Sequence, residues 1–175
     1  KIEEEKRGVF LINNFTKINK DDNNYSNTNA GWNDMFEVFI SYKDNKEYVI
    51  SPNKESYNLD VYRLIDNKKI VSLRGHKNDI RTIRYFVNTK MNNYDEYLIS
   101  GDDDMIVIVW DIKNDYKILH KIETKYGDFI YSCLLLFPHN IENNYIITST
   151  YSESDKMEQS ATKIYSLSNG NFIKY

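Results

Sequence analysis

The chain has 175 residues, a formal charge of −3, 41% hydrophobic residues and 14% aromatic residues. That is enough apolar material for a sizeable core, while the acidic balance argues against a general nucleic-acid binder, which concentrates basic surface. The longest apolar runs are too short to span a bilayer, and the charged start KIEEEKRG lacks the pattern of a secretory signal, so neither a membrane nor nucleic acid is an expected partner.

Residues 1–34 read as an N-terminal unit: a charged arm, a short strand over GVFLI at 8–12, then an Asn-rich polar loop. The loop holds too little aliphatic surface to offset its ordering entropy, and Trp32 within it is a lone anchor, to the body or to a partner. From 35 to 175 the chain repeats. Met35, Val38 and Ile40 have the spacing of Ile80, Ile83 and Tyr85, and of Ile130, Cys133 and Leu135, with offsets of 45 and then 50 residues. Each triplet predicts the first strand of a unit, and the units run approximately over 35–73, 80–122 and 130–175. Third strands are predicted where Asp60–Leu64, Ile108–Ile112 and Lys163–Leu167 align. Outer strands follow at Lys69–Leu73, Tyr116–Ile122 and Phe172–Tyr175.

The middle unit is the best defined. Leu98-Ile99-Ser100 is a short β-type run ended by Gly101, and Asp102-Asp103-Asp104 is turn chemistry. Met105 to Trp110 is then an unbroken apolar run rich in β-branched residues, as expected of a strand buried on both faces. Gly75-His76 lies upstream, and Trp110-Asp111 closes the run.

These residues resemble the WD-repeat family of β-propellers, whose unit begins near a Gly-His and ends in Trp-Asp over a period of roughly 40–45 residues. The resemblance implies an all-β fold of about three to three and a half four-stranded blades, open rather than a complete ring. It also implies a structural tetrad of His76, Ser100, Asp104 and Trp110, with Ser100 ten residues and Asp104 six residues before the tryptophan. In such a chain the imidazole sits between a carboxylate and a hydroxyl, and the indole N–H finds an acceptor. The flanking units are diverged: Gly31 and Tyr126 stand where the histidine would be, Ser56 and Gln159 replace the acid, and Tyr62 and Tyr165 replace the tryptophan, while Ser51 and Thr148 keep a hydroxyl.

Other chemistry finds little support. A hydrolytic triad of Ser100, His76 and Asp104 would require an exposed serine on a strained turn beside an oxyanion hole. His76, His120 and His139 are far apart in sequence, Cys133 is a single cysteine in an apolar run, and the triple aspartate lacks the alternating ligands of a calcium loop. No catalytic residue, metal or cofactor is therefore expected.

The resemblance places the loop entering each first strand beside the loop joining the second and third strands. The candidate partner-binding face is thus Lys77, Asn78, Asp79, Arg81, Asp102 and Asp103. An acidic insertion carrying Glu153, Asp155 and Glu158 adds to it. The expected role is a non-enzymatic protein-interaction scaffold in a reducing cytoplasmic or nuclear compartment. Its partner would have a basic contact surface, and the remaining blades would come from the same or another chain. Trp110-Asp111-Ile112-Lys113 also resembles, with lysine for arginine, the WDxR box of propellers that recruit substrates to ubiquitin ligases. That alternative, and a propeller-based enzyme, are the rival expectations.

Overall fold

The computed structural model describes residues 36–53, 55–90, 93–124, 129–138, 143–151 and 161–174. The expected N-terminal strand and Asn-rich loop, with Trp32, Met35, His139 and the acidic insertion at 152–160, lie outside them. The described residues form twelve strands: β1 (Glu37–Ile40), β2 (Glu47–Asn53), β3 (Asn58–Arg63), β4 (Lys68–Leu73), β5 (Ile80–Lys90), β6 (Asn93–Asp102), β7 (Ile106–Asp111), β8 (Lys117–Glu123), β9 (Phe129–Leu136), β10 (Tyr145–Tyr151), β11 (Thr162–Ser166) and β12 (Phe172–Lys174). They form three four-stranded antiparallel sheets, each a simple meander from inner to outer strand, and the sheets are not closed into a ring. The arrangement is that of an open propeller, with β1–β4, β5–β8 and β9–β12 as consecutive blades.

Short polar turns make the meanders. Asn45, Tyr57, Asn67, Met105, Asp115 and Tyr116 take positive φ, most of them at the tips joining strands, where asparagine and aspartate tolerate the left-handed region best. The outer strands β4 and β8 carry lysines on their exposed edges, which discourages further strand pairing.

Strand alternation divides the core in two. Leu98, Ile108 and Trp110 of the middle sheet point one way and pack with Phe39, Ile50, Leu59, Val61 and Leu73 of the first. Ile99, Val107 and Val109 point the other way, onto Ile130, Cys133, Leu135, Ile146 and Tyr165 of the third. The middle sheet is therefore apolar on both faces, which is why Met105–Trp110 reads as an unbroken hydrophobic run. Two glycines allow the closest approaches. A Cβ on Gly75 would lie 2.7 Å from Ile108 Cδ1 and 3.0 Å from Trp110 Cη2, and one on Gly101 would lie within van der Waals overlap of Ile130.

One buried carboxylate ties the first two sheets together. Glu96 on β6 is fully buried, and its Oε1 accepts from Ser41 Oγ (3.0 Å), from the Tyr42 amide (2.6 Å) and from the Tyr85 hydroxyl (2.7 Å). Its Oε2 accepts from the Lys43 amide at 3.0 Å. A side chain of the middle blade thus holds the β1–β2 turn of the first by accepting from three of its donors, of which the Lys43 amide is shared with Ser41 Oγ at 3.2 Å.

Candidate functional site

The middle blade contains a continuous hydrogen-bonded chain. Trp110 on β7 donates its indole N–H to Ser100 Oγ on β6 at 3.0 Å, and Ser100 Oγ lies 2.7 Å from His76 Nε2. His76, from the loop before β5, meets Asp102 Oδ2 through Nδ1 at 2.6 Å. With the serine hydroxyl donating to Nε2, the imidazole proton sits on Nδ1 and points at the carboxylate. Every member is buried, and Ser100 and Asp102 are wholly inaccessible. His76, Ser100 and Trp110 occupy the places expected of them.

The acid does not. Asp102, not Asp104, pairs with His76. Side chains on a strand alternate, so Ser100 and Asp102, two apart at the end of β6, face the same side and both reach the imidazole. β6 runs two residues further than Leu98–Ser100, and a register shift between Ile80 and Thr82 brings Ile80 opposite Asp102. Asp102 also organises the turn. Its Oδ1 accepts from the amides of Asp104 (3.0 Å), in the middle of the β6–β7 connection, and of Ile106 (2.8 Å), the first residue of β7. Asp104 sits exposed in that turn and accepts from Asn78 Nδ2 at 2.8 Å. The placement of Asp102 on the partner-binding face is likewise corrected: it is a core residue.

The constellation has the residue types of a hydrolytic relay, but Ser100 Oγ already accepts from Trp110, and no solvent-accessible surface remains on Ser100 for a substrate to reach. Its physical work is to satisfy four polar side chains inside an apolar sheet. The third blade has no such chain among the described residues. Thr148, in the place of the hydroxyl, is fully buried, with its Oγ1 lacking any hydrogen-bond partner. In the first blade Asp60 accepts from Ser72 Oγ (2.5 Å), Asn53 Nδ2 (3.2 Å) and Lys69 Nζ (3.3 Å), a separate polar cluster. Burial raises the Asp60 pKa, but these donors outweigh it and hold the carboxyl below its ordinary value.

Above the buried chain the expected loops do come together. The Asp103 amide donates to the Asp79 carbonyl at 3.0 Å, and the Arg81 guanidinium grips the Asp103 carboxylate through Nε (2.5 Å) and Nη2 (2.7 Å). The same guanidinium lies 5.2 Å from the Phe129 ring centroid, so this rim joins the second blade to the third. Lys77, Asp79 and Asp104 are exposed on it, with Asn78 half-buried beside them. Glu153, Asp155 and Glu158 lie outside the described residues. At the opposite end of the blade, Lys113 donates to Asn93 Oδ1 and to the Tyr94 carbonyl, both at 2.9 Å, and packs over the Tyr94 ring. Glu96, the inter-blade tie, is absent from the sequence reading because a lone glutamate in a polar stretch carries no pattern of its own.

Among the described residues no group of three or more His, Cys, Asp or Glu side chains is placed to hold a metal ion. Burial pushes the Cys133 thiol up to about 12. The fold and site together define an all-β protein of repeated four-stranded sheets with one fully hydrogen-bonded polar chain at its centre. No protein-family model matches the sequence, and no curated protein matches it.

Proposed function

We propose that the chain is a WD-type propeller portion that serves as a protein-interaction scaffold inside the cell, presenting the loops β4–β5 and β6–β7 to a partner. The observation that carries this reading is how the polar side chains of the middle blade are divided. His76, Ser100, Asp102 and Trp110 are consumed in the interior. The groups left on the rim, Lys77, Asp79 and Asp104, are exposed on loops held rigidly from below. Rigid, short, charged loops on a fixed sheet suit recognition more than turnover. Two of those three charges are acidic, which favours a basic contact surface, with complementary charge acting mainly on the association rate. Lys113 is engaged within its own blade by Asn93 and Tyr94, so the substrate-receptor alternative, which would use it as a docking cation, has less support.

The test is quantitative affinity capture with the wild-type chain, the rim variant Asp79→Lys/Asp104→Lys, and Trp110→Ala as an unfolded control, at low and high salt. A partner lost from the rim variant and weakened by salt is the expected result. Retention of all partners by the folded rim variant, at both salt concentrations, rules the face out.

A further inference from the structure

We infer that the inner edge of β5 over Val87–Thr89 takes up an extended segment of a partner polypeptide as an added strand. This surface lies at the end of the middle blade opposite the rim, so it goes beyond the reading above. The repeat sets the scale. Ile40, Tyr85 and Leu135 are equivalent, and β1 stops at Ile40 while β9 runs one residue past Leu135. β5 continues five residues past Tyr85, to Lys90, and its ladder with β6 persists to the pair Lys90–Asn93. At about 3.3 Å per residue, this hairpin projects roughly 13–16 Å beyond the inner strands of its neighbours.

A projecting sheet edge invites pairing unless something closes it. One edge of this hairpin is closed. On β6 the Glu96 carbonyl accepts from the Ile112 amide and the Tyr94 carbonyl from Lys113 Nζ, both at 2.9 Å. The β5 edge is closed only as far as Tyr85, whose amide donates to Glu37 Oε1 at 2.9 Å. That bond leads away from β6. Backbone direction alternates along a strand, so the N–H and C=O groups of Val87 and Thr89 point the same way. Among the described residues no hydrogen bond reaches any of these four groups. Other guards are missing there too: β5 has no proline, and its register irregularity lies at the far end, between Ile80 and Thr82.

The occupant follows from the spacing. Two N–H and two C=O groups recurring at every second residue are complementary to another extended backbone. Glu37 already shows how this edge is read, since its carboxylate stands where the carbonyl of a neighbouring strand would accept from Tyr85. The hairpin is also braced from both sides. Tyr42 of the first blade packs on the Tyr94 ring at 4.8 Å, and Phe137 of the third stacks on Tyr97 at 6.0 Å. Phe86, half-buried beside Phe137, gives the added strand an aromatic surface for an apolar side chain. Both flanking blades are described, so the edge does not depend on what adjoins the first or the third sheet.

The test uses the whole chain and, as probe, a synthetic peptide copying residues 93–99, whose side chains already complement β5 across the ladder. Amide exchange read by NMR resolves single positions. In the chain alone Val87 and Thr89 should exchange fast, and Phe86, Asn88 and Lys90 slowly; excess peptide should slow Val87 and Thr89. Thr89→Pro removes an edge donor without touching the β6 ladder, a place where proline is tolerated. It should bind the peptide roughly five- to tenfold more weakly, as expected for one lost hydrogen bond. A fully N-methylated peptide, tested on the wild-type chain, should not bind, which keeps the test decisive even where Thr89→Pro fails to fold. Slow exchange at Val87 and Thr89 in the chain alone, or failure of the peptide to bind, overturns the inference. Binding by the N-methylated peptide, or binding undiminished in folded Thr89→Pro, overturns it as well. None of these outcomes touches the rim, which Asp79→Lys/Asp104→Lys tests separately.

Discussion

Replacing Asp102 with alanine should cost far more stability than replacing Asp104, and the difference can be worked out from the hydrogen bonds. Asp102 is fully buried and accepts three donors: His76 Nδ1–H at 2.6 Å, the Asp104 amide at 3.0 Å and the Ile106 amide at 2.8 Å. Each donor left without an acceptor in the interior costs about 1–3 kcal/mol, and the two turn amides, nearer to water, fall at the low end. The sum for Asp102→Ala is about 3–5 kcal/mol, in line with breaking a buried charged network. Asp102→Asn tests the proton placement within it. An amide nitrogen aimed at Nδ1 would force the imidazole proton onto Nε2, which then donates to Ser100 Oγ and leaves the serine hydroxyl proton without its acceptor. That loss is about 1–3 kcal/mol. Asp104→Ala removes one exposed hydrogen bond from Asn78 and should shift stability by no more than about 0.5 kcal/mol. The assay is urea unfolding followed by tryptophan fluorescence, comparing midpoints at constant slope. A cost for Asp104→Ala equal to or above that of Asp102→Ala would refute the reasoning and restore the six-residue spacing.

Two further outcomes follow from buried groups. Glu96→Ala should speed amide exchange at Tyr42 and Lys43, whose N–H groups it accepts, and cost about 2–3 kcal/mol; unchanged exchange at both amides would show that Glu96 does not hold the turn. On the alkaline side, burial raises Cys133 from 9.0 to about 12, and burial together with the hydrogen bond to Asp44 raises Tyr48 from 10.0 to about 12. The unfolded chain therefore loses these protons first, so the stability they contribute is intact below pH 9 and falls as pH climbs toward 12. Denaturation midpoints against pH, with thiol labelling at pH 8, check this: rapid native-state labelling of Cys133, or stability flat from pH 9 to 12, would contradict it.

Much of this architecture was legible in the sequence because the physics behind it is local. Met105–Trp110 announces a strand buried on both sides by having no polar residue, and Asp102-Asp103-Asp104 announces the turn before it. His76, Ser100 and Trp110 could be placed because they match the pattern of the family that the middle unit resembles. The acid could not, since counting back from Trp110 ignores which way each side chain points. Asp102 wins because it shares a face with Ser100, and because β6 continues through it. Glu96 was illegible for a different reason. Its partners Ser41, Tyr42 and Lys43 lie 53–55 residues away, and only the packing of two blades brings them together.

The division of the core into two clusters bears on how the chain folds. Neither cluster contains residues from both flanking sheets, and the middle sheet contributes to both. The described residues therefore form a short linear array in which the end blades are neighbours of the middle one alone, with stability a sum of blade and nearest-neighbour contributions. A defect at Trp110 or Asp102 would remove the template on which both outer blades condense, whereas one at Ile146 would unzip a single end. Among the described residues the first and third blades are linked through the middle sheet, by the alternating side chains of β5 as well as those of β6 and β7.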